Sequence, residues 1–267
     1  MTCQLAGFGL KALLNMLARP NSAKSGSQRP TENKRYILLI DESFPITSDF
    51  GLIRANVDSV ARAIASWSVE LGIPRTCHCV FSWEDALNGL EPLSTEMRRL
   101  AIVPTKAGWS AVFQSGIAGS DPASLMPVLS GRLRTDAMRV CATPGSAKYA
   151  AIIWENYVGS LSELSGVAAH GRTICAANDG GRWNFFCSGE PFDFENSESY
   201  AKTRIKDRFT KEMLGGYLER FGLHPFDDSF YDVSVDRPAI IFERISRWDV
   251  RPPEFSLADV VEGRPWR

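Results

Sequence analysis

Apolar residues recur at helical spacing in the clearest periodic segment of the chain. Six of them are separated by three or four residues, which places them on one face of a helix: Ile53, Val57, Val60, Ile64, Trp67 and Leu71. Gly72 can cap the end of this helix, and Pro74 prevents its continuation. The pattern therefore predicts an amphipathic helix over residues 53–71 that packs one side against a core.

Two further helices are predicted from the same kind of spacing. Leu125, Leu129 and Leu133 share a helical face, and either Ser120 or Asp121 can cap the start of this helix. A long third helix is predicted over residues 200–221. Its apolar stripe consists of Ile205, Phe209, Met213, Leu214, Tyr217, Leu218 and Phe221.

Short apolar or alternating runs predict eight strands. They are residues 36–40, 76–81, 110–113, 138–142, 150–157, 172–177, 182–187 and 238–242. The order of elements over 36–81 is typical of a βαβ unit, provided that its two strands are parallel. Residues 178–181 (Asn-Asp-Gly-Gly) predict a hairpin, because these residue types tolerate positive φ. The predicted fold is a single α+β domain, in which two or three helices pack on a mixed, mainly antiparallel sheet.

The pattern also predicts how the chain is divided. Residues 1–19 form an amphipathic helix, residues 20–34 are a polar linker rich in Ser, Asn and Pro, and residues 35–267 are the α+β domain. The N-terminal helix either docks on the domain, stays disordered, or binds a partner or a membrane surface. Its apolar stretch is too short to span a bilayer and follows no basic segment, so neither stable membrane insertion nor secretion is predicted.

The composition indicates which kinds of partner and which cellular compartment to expect. Lys and Arg number 30 and Asp and Glu number 31, so the net charge of -1 gives no basic excess for a nucleic-acid partner. The six cysteines lie in or beside apolar segments: Cys3, Cys77, Cys79, Cys141, Cys175 and Cys187. They are predicted to be reduced core thiols of a cytoplasmic protein.

Motifs for cofactors and metals are incomplete in this chain. The segment AGFGLKA matches a dinucleotide fingerprint only in its glycine spacing, because no strand precedes it. Neither a phosphate-binding loop nor a nucleophile elbow is present, so no cofactor is predicted. Cys77, His78 and Cys79 alternate across a predicted strand and do not converge on one ion. They are interpreted as two buried thiols and a surface or interface histidine.

Charged residues offer one alternative site and several structural roles. Asp41 and Glu42 follow the apolar run 36–40, where acidic residues at the end of a strand can hold a divalent metal. A metal-dependent hydrolase or phosphotransfer enzyme is therefore the alternative hypothesis, although the second aspartate of a D-x-D motif is absent. Glu155 is predicted to pair with Arg139 across neighbouring strands. The basic residues of 202–211 are predicted to be the solvated face of the long helix.

The leading hypothesis is a non-enzymatic binding protein. Its candidate partner-binding residues are aromatic and charged side chains near predicted turns, where they are expected to be exposed: Trp83, Glu84, Asp85, Trp109, Asp179, Arg182 and Trp183. Tryptophan and arginine are favoured anchors in protein interfaces. The composition and motifs therefore favour a protein that sequesters a protein partner over one that carries out catalysis.

Three segments carry a resemblance to a known group. They are a Trp-x-Ala-x-Phe segment from Trp109, a Gly-x-Asp-Pro helix start at Gly119, and the Asn-Asp-Gly-Gly-x-Trp hairpin at residues 178–183. Together they resemble a group of uncharacterised bacterial proteins over roughly residues 105–225. A small α+β body with an aromatic hairpin is also similar to the immunity proteins of bacterial toxin systems. That resemblance implies a toxin as the protein partner.

Overall fold

The computed structural model describes residues 42–145, 147–159, 168–245 and 252–266. Nine strands lie in these ranges: β1 (Asp49–Ile53), β2 (Arg75–Val80), β3 (Arg99–Pro104), β4 (Ser110–Gln114), β5 (Ala137–Ala142), β6 (Ala151–Val158), β7 (Ala169–Asn178), β8 (Trp183–Ser188) and β9 (Ala239–Arg244). Five α-helices accompany them: α1 (Val57–Glu70), α2 (Trp83–Asn88), α3 (Leu125–Leu133), α4 (Lys211–Glu219) and α5 (Leu257–Val261).

The nine strands form one sheet in the order β2-β9-β3-β4-β1-β5-β6-β7-β8. Each neighbouring pair of these strands is antiparallel. The α+β prediction is confirmed, whereas the described strands form an antiparallel rather than a mixed sheet. Five described helices replace the predicted two or three, since α2 and α5 are too short to show helical periodicity in the sequence.

Helices cover both faces of the sheet because side chains alternate between the faces along each strand. Phe50 and Leu52 of β1 join a core with residues of α2, α4 and α5, and Ile53 joins a second core with α1 and α3. Gly51 also points to the second face, where the Met126 sulfur would lie 2.2 Å from an added Cβ. The sheet is therefore the middle of three layers.

The beginning of α1 differs from the prediction. The helix starts at Val57, and Ile53 is the last residue of a strand that the sequence analysis missed. Asn56 caps the helix by accepting a 2.8 Å hydrogen bond from the backbone N–H of Ser59. Gly72 has a φ of 63°, in agreement with its predicted place beyond the end of the helix.

The predicted long helix over residues 200–221 is wrong in its first half. Two 3-10 turns, Ser197–Ala201 and Ile205–Asp207, precede α4. Thr210 adopts an extended backbone and accepts a hydrogen bond from the Met213 N–H, so it caps a new helix instead of continuing an old one. The basic side chains of 202–211 consequently do not form one helical face.

The cysteines of β2 are exposed, which contradicts their prediction as buried thiols. Cys77 and Cys79 lie on an edge strand, and neither face of that strand is fully covered. Cys187 is exposed on β8 at the other edge, whereas Cys141 in the interior of the sheet is buried. Burial of these thiols follows sheet position more closely than local hydrophobicity.

Several predictions concern residues outside the described ranges. They are the N-terminal helix 1–19, the linker 20–34, the strand 36–40 and the βαβ unit that this strand would begin. In the part of the chain that the structure covers, none of the helices has the length and apolar character needed to cross a bilayer.

Candidate binding site

A cavity of about 470 Å³ opens at the end of the sheet where β5 ends and β6 and β8 begin. Four aromatic side chains line it: Phe44, Trp183, Phe209 and Phe226. Four hydroxyl residues also line it: Thr47, Ser48, Thr143 and Thr210. Cavities of roughly 300–1,000 Å³ with aromatic walls and a few polar groups are typical ligand sites. We call this cavity the Trp183 cleft.

The turn between β7 and β8 is held by the carboxylate of Asp179. This carboxylate accepts hydrogen bonds from the backbone N–H groups of Arg182 (2.9 Å) and Gly181 (3.3 Å) and from the Asn184 amide (3.3 Å). The pKa of Asp179 is lowered, chiefly by the hydrogen bond from Arg182. Asn178 adds a 3.0 Å bond from the Gly180 N–H, so the predicted hairpin is confirmed as a closely bonded turn.

Gly180 is required by this turn for two reasons, and its replacement by valine should destabilise the protein. Its φ is 96°, and a Cβ would lie 2.5 Å from the Tyr149 ring. We expect Gly180→Val to lower the free energy of unfolding by about 1–3 kcal/mol in urea titrations. Gly181→Val is the matched control, because no heavy atom lies within 4 Å of its added Cβ. Equal losses in the two variants would contradict this description of the turn.

Trp183 is half-buried rather than fully exposed, and it forms a wall of the cleft. It packs against the same core as Phe185, two residues further along β8. Phe185 lies 5.3 Å from the Tyr200 ring, and the Arg208 guanidinium lies 5.7 Å from the Phe185 ring. Trp183 therefore presents part of its ring to the cleft from a well-supported position.

Positive charge lies on a second wall of the cleft, formed by Lys206 and by the residues at the start of α4. Lys206 and Lys211 line the cleft and are exposed, and the Lys211 ammonium lies 4.8 Å from the Phe226 ring. Glu212 is the acidic residue in this wall, and hydrogen bonds from its own backbone N–H and from Thr210 lower its pKa. The α4 N-terminus adds a positive partial charge. This wall favours a ligand with an apolar body and an anionic end.

A buried ion pair connects the hairpin to the chain that leads towards this second wall. Arg172 donates to Glu195 through Nε (2.9 Å) and Nη2 (2.6 Å), and the two side chains are 3% and 0% exposed. Arg172 also donates to the carbonyl oxygens of Ser188 and Gly189. Glu195 accepts a further bond from the Tyr200 hydroxyl. This network joins β7 and β8 to the chain that leads into α4.

A second charged network lies on the other face of the sheet. Arg139 binds Asp49 through Nη2 (2.6 Å) and Nε (3.0 Å), and its Nη1 lies 3.5 Å from Glu155. The predicted pair between Arg139 and Glu155 is therefore confirmed, and the two residues are register partners. Burial raises the pKa of Asp49 to about 6, against the opposing effect of Arg139. One guanidinium thus serves two carboxylates in a largely buried cluster.

Two of the predicted partner-binding residues are core residues, so their predicted exposure is wrong. Trp83 is 9% exposed, stacks on Tyr231 at 4.0 Å, and donates from Nε1 to Asp228 at 2.9 Å. Trp109 is 4% exposed, and the Arg54 guanidinium lies over its ring at 5.2 Å. Contacts with residues distant in sequence bury both rings.

The remaining candidates do not form one surface. Glu84 and Asp85 are exposed at the start of α2, which packs beside β3 and β9. Asp179 and Arg182 are exposed at the turn that leads into β8, six strand positions from β3. That separation is about 29 Å at the usual spacing of strands. Asp179, Arg182 and Trp183 lie together on the hairpin, and among them Trp183 lines the Trp183 cleft.

Of the two residues of the alternative metal site, one lies in the described ranges. Asp41 lies outside the described ranges, and Glu42 is exposed two positions before Phe44, which lines the cleft. Within those ranges, no group of three or more His, Cys, Asp or Glu side chains is arranged to hold a metal ion. Cys77, His78 and Cys79 therefore do not form such a group either.

The sequence analysis missed the wall formed by Phe209, Thr210 and Lys211. The cue was Thr210, a residue type favoured at helix N-caps, with the acidic residue Glu212 in the first turn that follows. Comparison of the chain with protein-family models, curated proteins and solved structures gave no match.

Proposed function

We propose that this protein is a non-enzymatic binding protein that sequesters a protein partner at the Trp183 cleft. The observation that carries the proposal is a 470 Å³ cavity lined by Trp183, which follows the bonded turn of Asp179, and by Lys206 and Lys211. A half-buried tryptophan beside an exposed arginine is a typical anchor in interfaces. The site takes an apolar side chain of the partner together with a neighbouring acidic group.

A protein partner fits this site better than a free small molecule. The exposed Asp179 and Arg182 extend the contact surface beyond the cavity onto the outside of the hairpin. Because backbone hydrogen bonds already order this turn, little conformational entropy is lost when a partner binds it. The two lysines supply charge complementarity to an acidic partner segment and speed its association.

The similarity of a small α+β body with an aromatic hairpin to toxin-immunity proteins supports a toxin as the partner, with neutralisation in the cytoplasm as the setting. Free thiols at described positions agree with a reducing compartment: Cys77, Cys79, Cys141, Cys175 and Cys187. Occupation of the cleft by a segment of the toxin would hold the toxin in an inactive complex.

The alternative function is metal-dependent hydrolysis or phosphotransfer through Asp41 and Glu42. The observation that favours it is the position of Glu42, two residues before the cleft residue Phe44. A metal held there would activate water at one end of the cavity. Asp41→Asn and Glu42→Gln would then abolish a metal-dependent turnover and leave partner binding unaltered.

Truncation of Trp183 tests the proposed function. Full-length wild type and Trp183→Ala are immobilised, and a lysate of the native host is passed over each. The protein enriched by wild type is then purified and titrated against both. We expect Trp183→Ala to weaken binding by about 2 kcal/mol or more, which is roughly 30-fold in Kd. Lys206→Glu should weaken binding through charge and leaves the core untouched.

Phe81→Ala is the control, because Phe81 is an aromatic side chain, 53% exposed, beyond the end of β2 at the other edge of the sheet. Its binding should match wild type. Melting curves establish that each variant is folded. If Trp183→Ala and Lys206→Glu both bind as tightly as wild type, the partner does not use this cleft and the proposal fails.

A further inference from the structure

Two arginines face each other across the outer pair of strands, far from the Trp183 cleft. Arg75 of β2 and Arg244 of β9 are register partners, so their side chains emerge on the same face of the sheet. Directly opposed like charges destabilise a sheet. The pKa of Arg75 is lowered by burial and by the charge of Arg244. This arrangement is unfavourable unless a negative group joins it.

The Arg75 guanidinium has unused donors. Its Nε and Nη1 atoms are buried and have no hydrogen-bond partner in the described part of the chain. Buried polar atoms of this kind normally have partners, and a donor without one costs free energy. A charge-assisted bond to an anion would satisfy such donors after a small side-chain rotation.

The nearest carboxylates are engaged elsewhere. Glu243 forms a 2.8 Å ion pair with Arg99, and both point to the opposite face of the sheet from Arg75 and Arg244. Glu254 lies 3.3 Å from Arg98. Among the described residues, this corner therefore holds four arginines and two paired carboxylates, which leaves an excess of positive charge at the Arg75 and Arg244 pair.

We propose that Arg75 and Arg244 form a binding site for an oxyanion, a carboxylate or a phosphate group. The planar guanidinium matches the paired oxygens of both groups. Inorganic phosphate presents this chemistry and serves as the probe.

Thermal unfolding of the full chain in phosphate and in chloride, at matched ionic strength, tests the site. Wild type, Arg75→Gln and Arg244→Gln are compared. We expect phosphate to raise the Tm of wild type by about 3 °C. We expect no rise in Arg75→Gln or in Arg244→Gln, because each removes one of the two guanidinium groups.

Arg62→Gln is the control, because Arg62 is an exposed arginine on α1 away from this corner. Its response to phosphate should equal that of wild type. The proposal is overturned if phosphate does not raise the Tm of wild type. It is also overturned if Arg75→Gln retains the full rise.

Discussion

Arg172→Met should lower the free energy of unfolding by about 3–5 kcal/mol, because it leaves the carboxylate of Glu195 buried without its counterion. Methionine keeps much of the side-chain volume, so the loss arises mainly from the charge and from the hydrogen bonds. The carbonyl groups of Ser188 and Gly189 lose their donor at the same time. Urea unfolding at neutral pH, followed by circular dichroism, measures the change.

Two comparisons make this prediction specific. The double variant Arg172→Met/Glu195→Gln should recover part of the loss, because the unpaired charge is gone. Arg132→Met removes an exposed ion pair to Glu70 and should cost much less than Arg172→Met, because solvent screens that pair. If Arg172→Met were no more harmful than Arg132→Met, the network would not be what joins the hairpin to the chain that leads into α4.

The protein should become more stable, through Asp49, as the pH falls from neutrality. Burial raises the pKa of Asp49 to about 6 in the folded state, above its ordinary value of 3.8. The folded state therefore binds this proton more tightly than the unfolded state, and protonation favours folding. The stabilisation appears as the pH falls through about 6 and is complete below about 4, where it reaches about 3 kcal/mol.

Asp49→Asn provides the measurement of this effect. Its carboxamide cannot titrate, so the contribution of Asp49 to the pH dependence is lost in the variant. We expect about 1 kcal/mol of the stabilisation between about pH 7 and about pH 5 to be present in wild type and absent in Asp49→Asn. Urea titrations at both pH values supply the comparison. Identical pH dependence in the two proteins would show that Asp49 does not titrate in this range.

Local signals predicted the parts of the structure that depend on neighbouring residues. The turn at residues 178–181 was predicted because its residue types suit positive φ, and Gly180 has a φ of 96°. The pair between Arg139 and Glu155 followed from adjacent strands with a short connection. Strand β1 was missed because Ile53 continues the helical spacing of α1, although Asn56 marks the true start of that helix.

Burial was predicted less well because it depends on sheet order and on distant contacts. Trp83 is covered by Tyr231, which lies far along the chain. Cys77 and Cys79 are exposed because β2 is an edge strand, a position set by its pairing with β9. The Trp183 cleft joins segments around residues 44, 143, 183 and 210, so its complete lining has no local signature in the sequence.

Hydrogen–deuterium exchange of the chain, alone and bound to its purified partner, tests the proposed binding function most directly. The Trp183 cleft predicts that the partner slows exchange in residues 179–184 and 209–213, which contain its lining residues Trp183 and 209–212. Exchange in β2, at the far edge of the sheet, should remain unchanged. Slower exchange confined to β2 or α2, with both walls of the cleft unaltered, would contradict the proposed function.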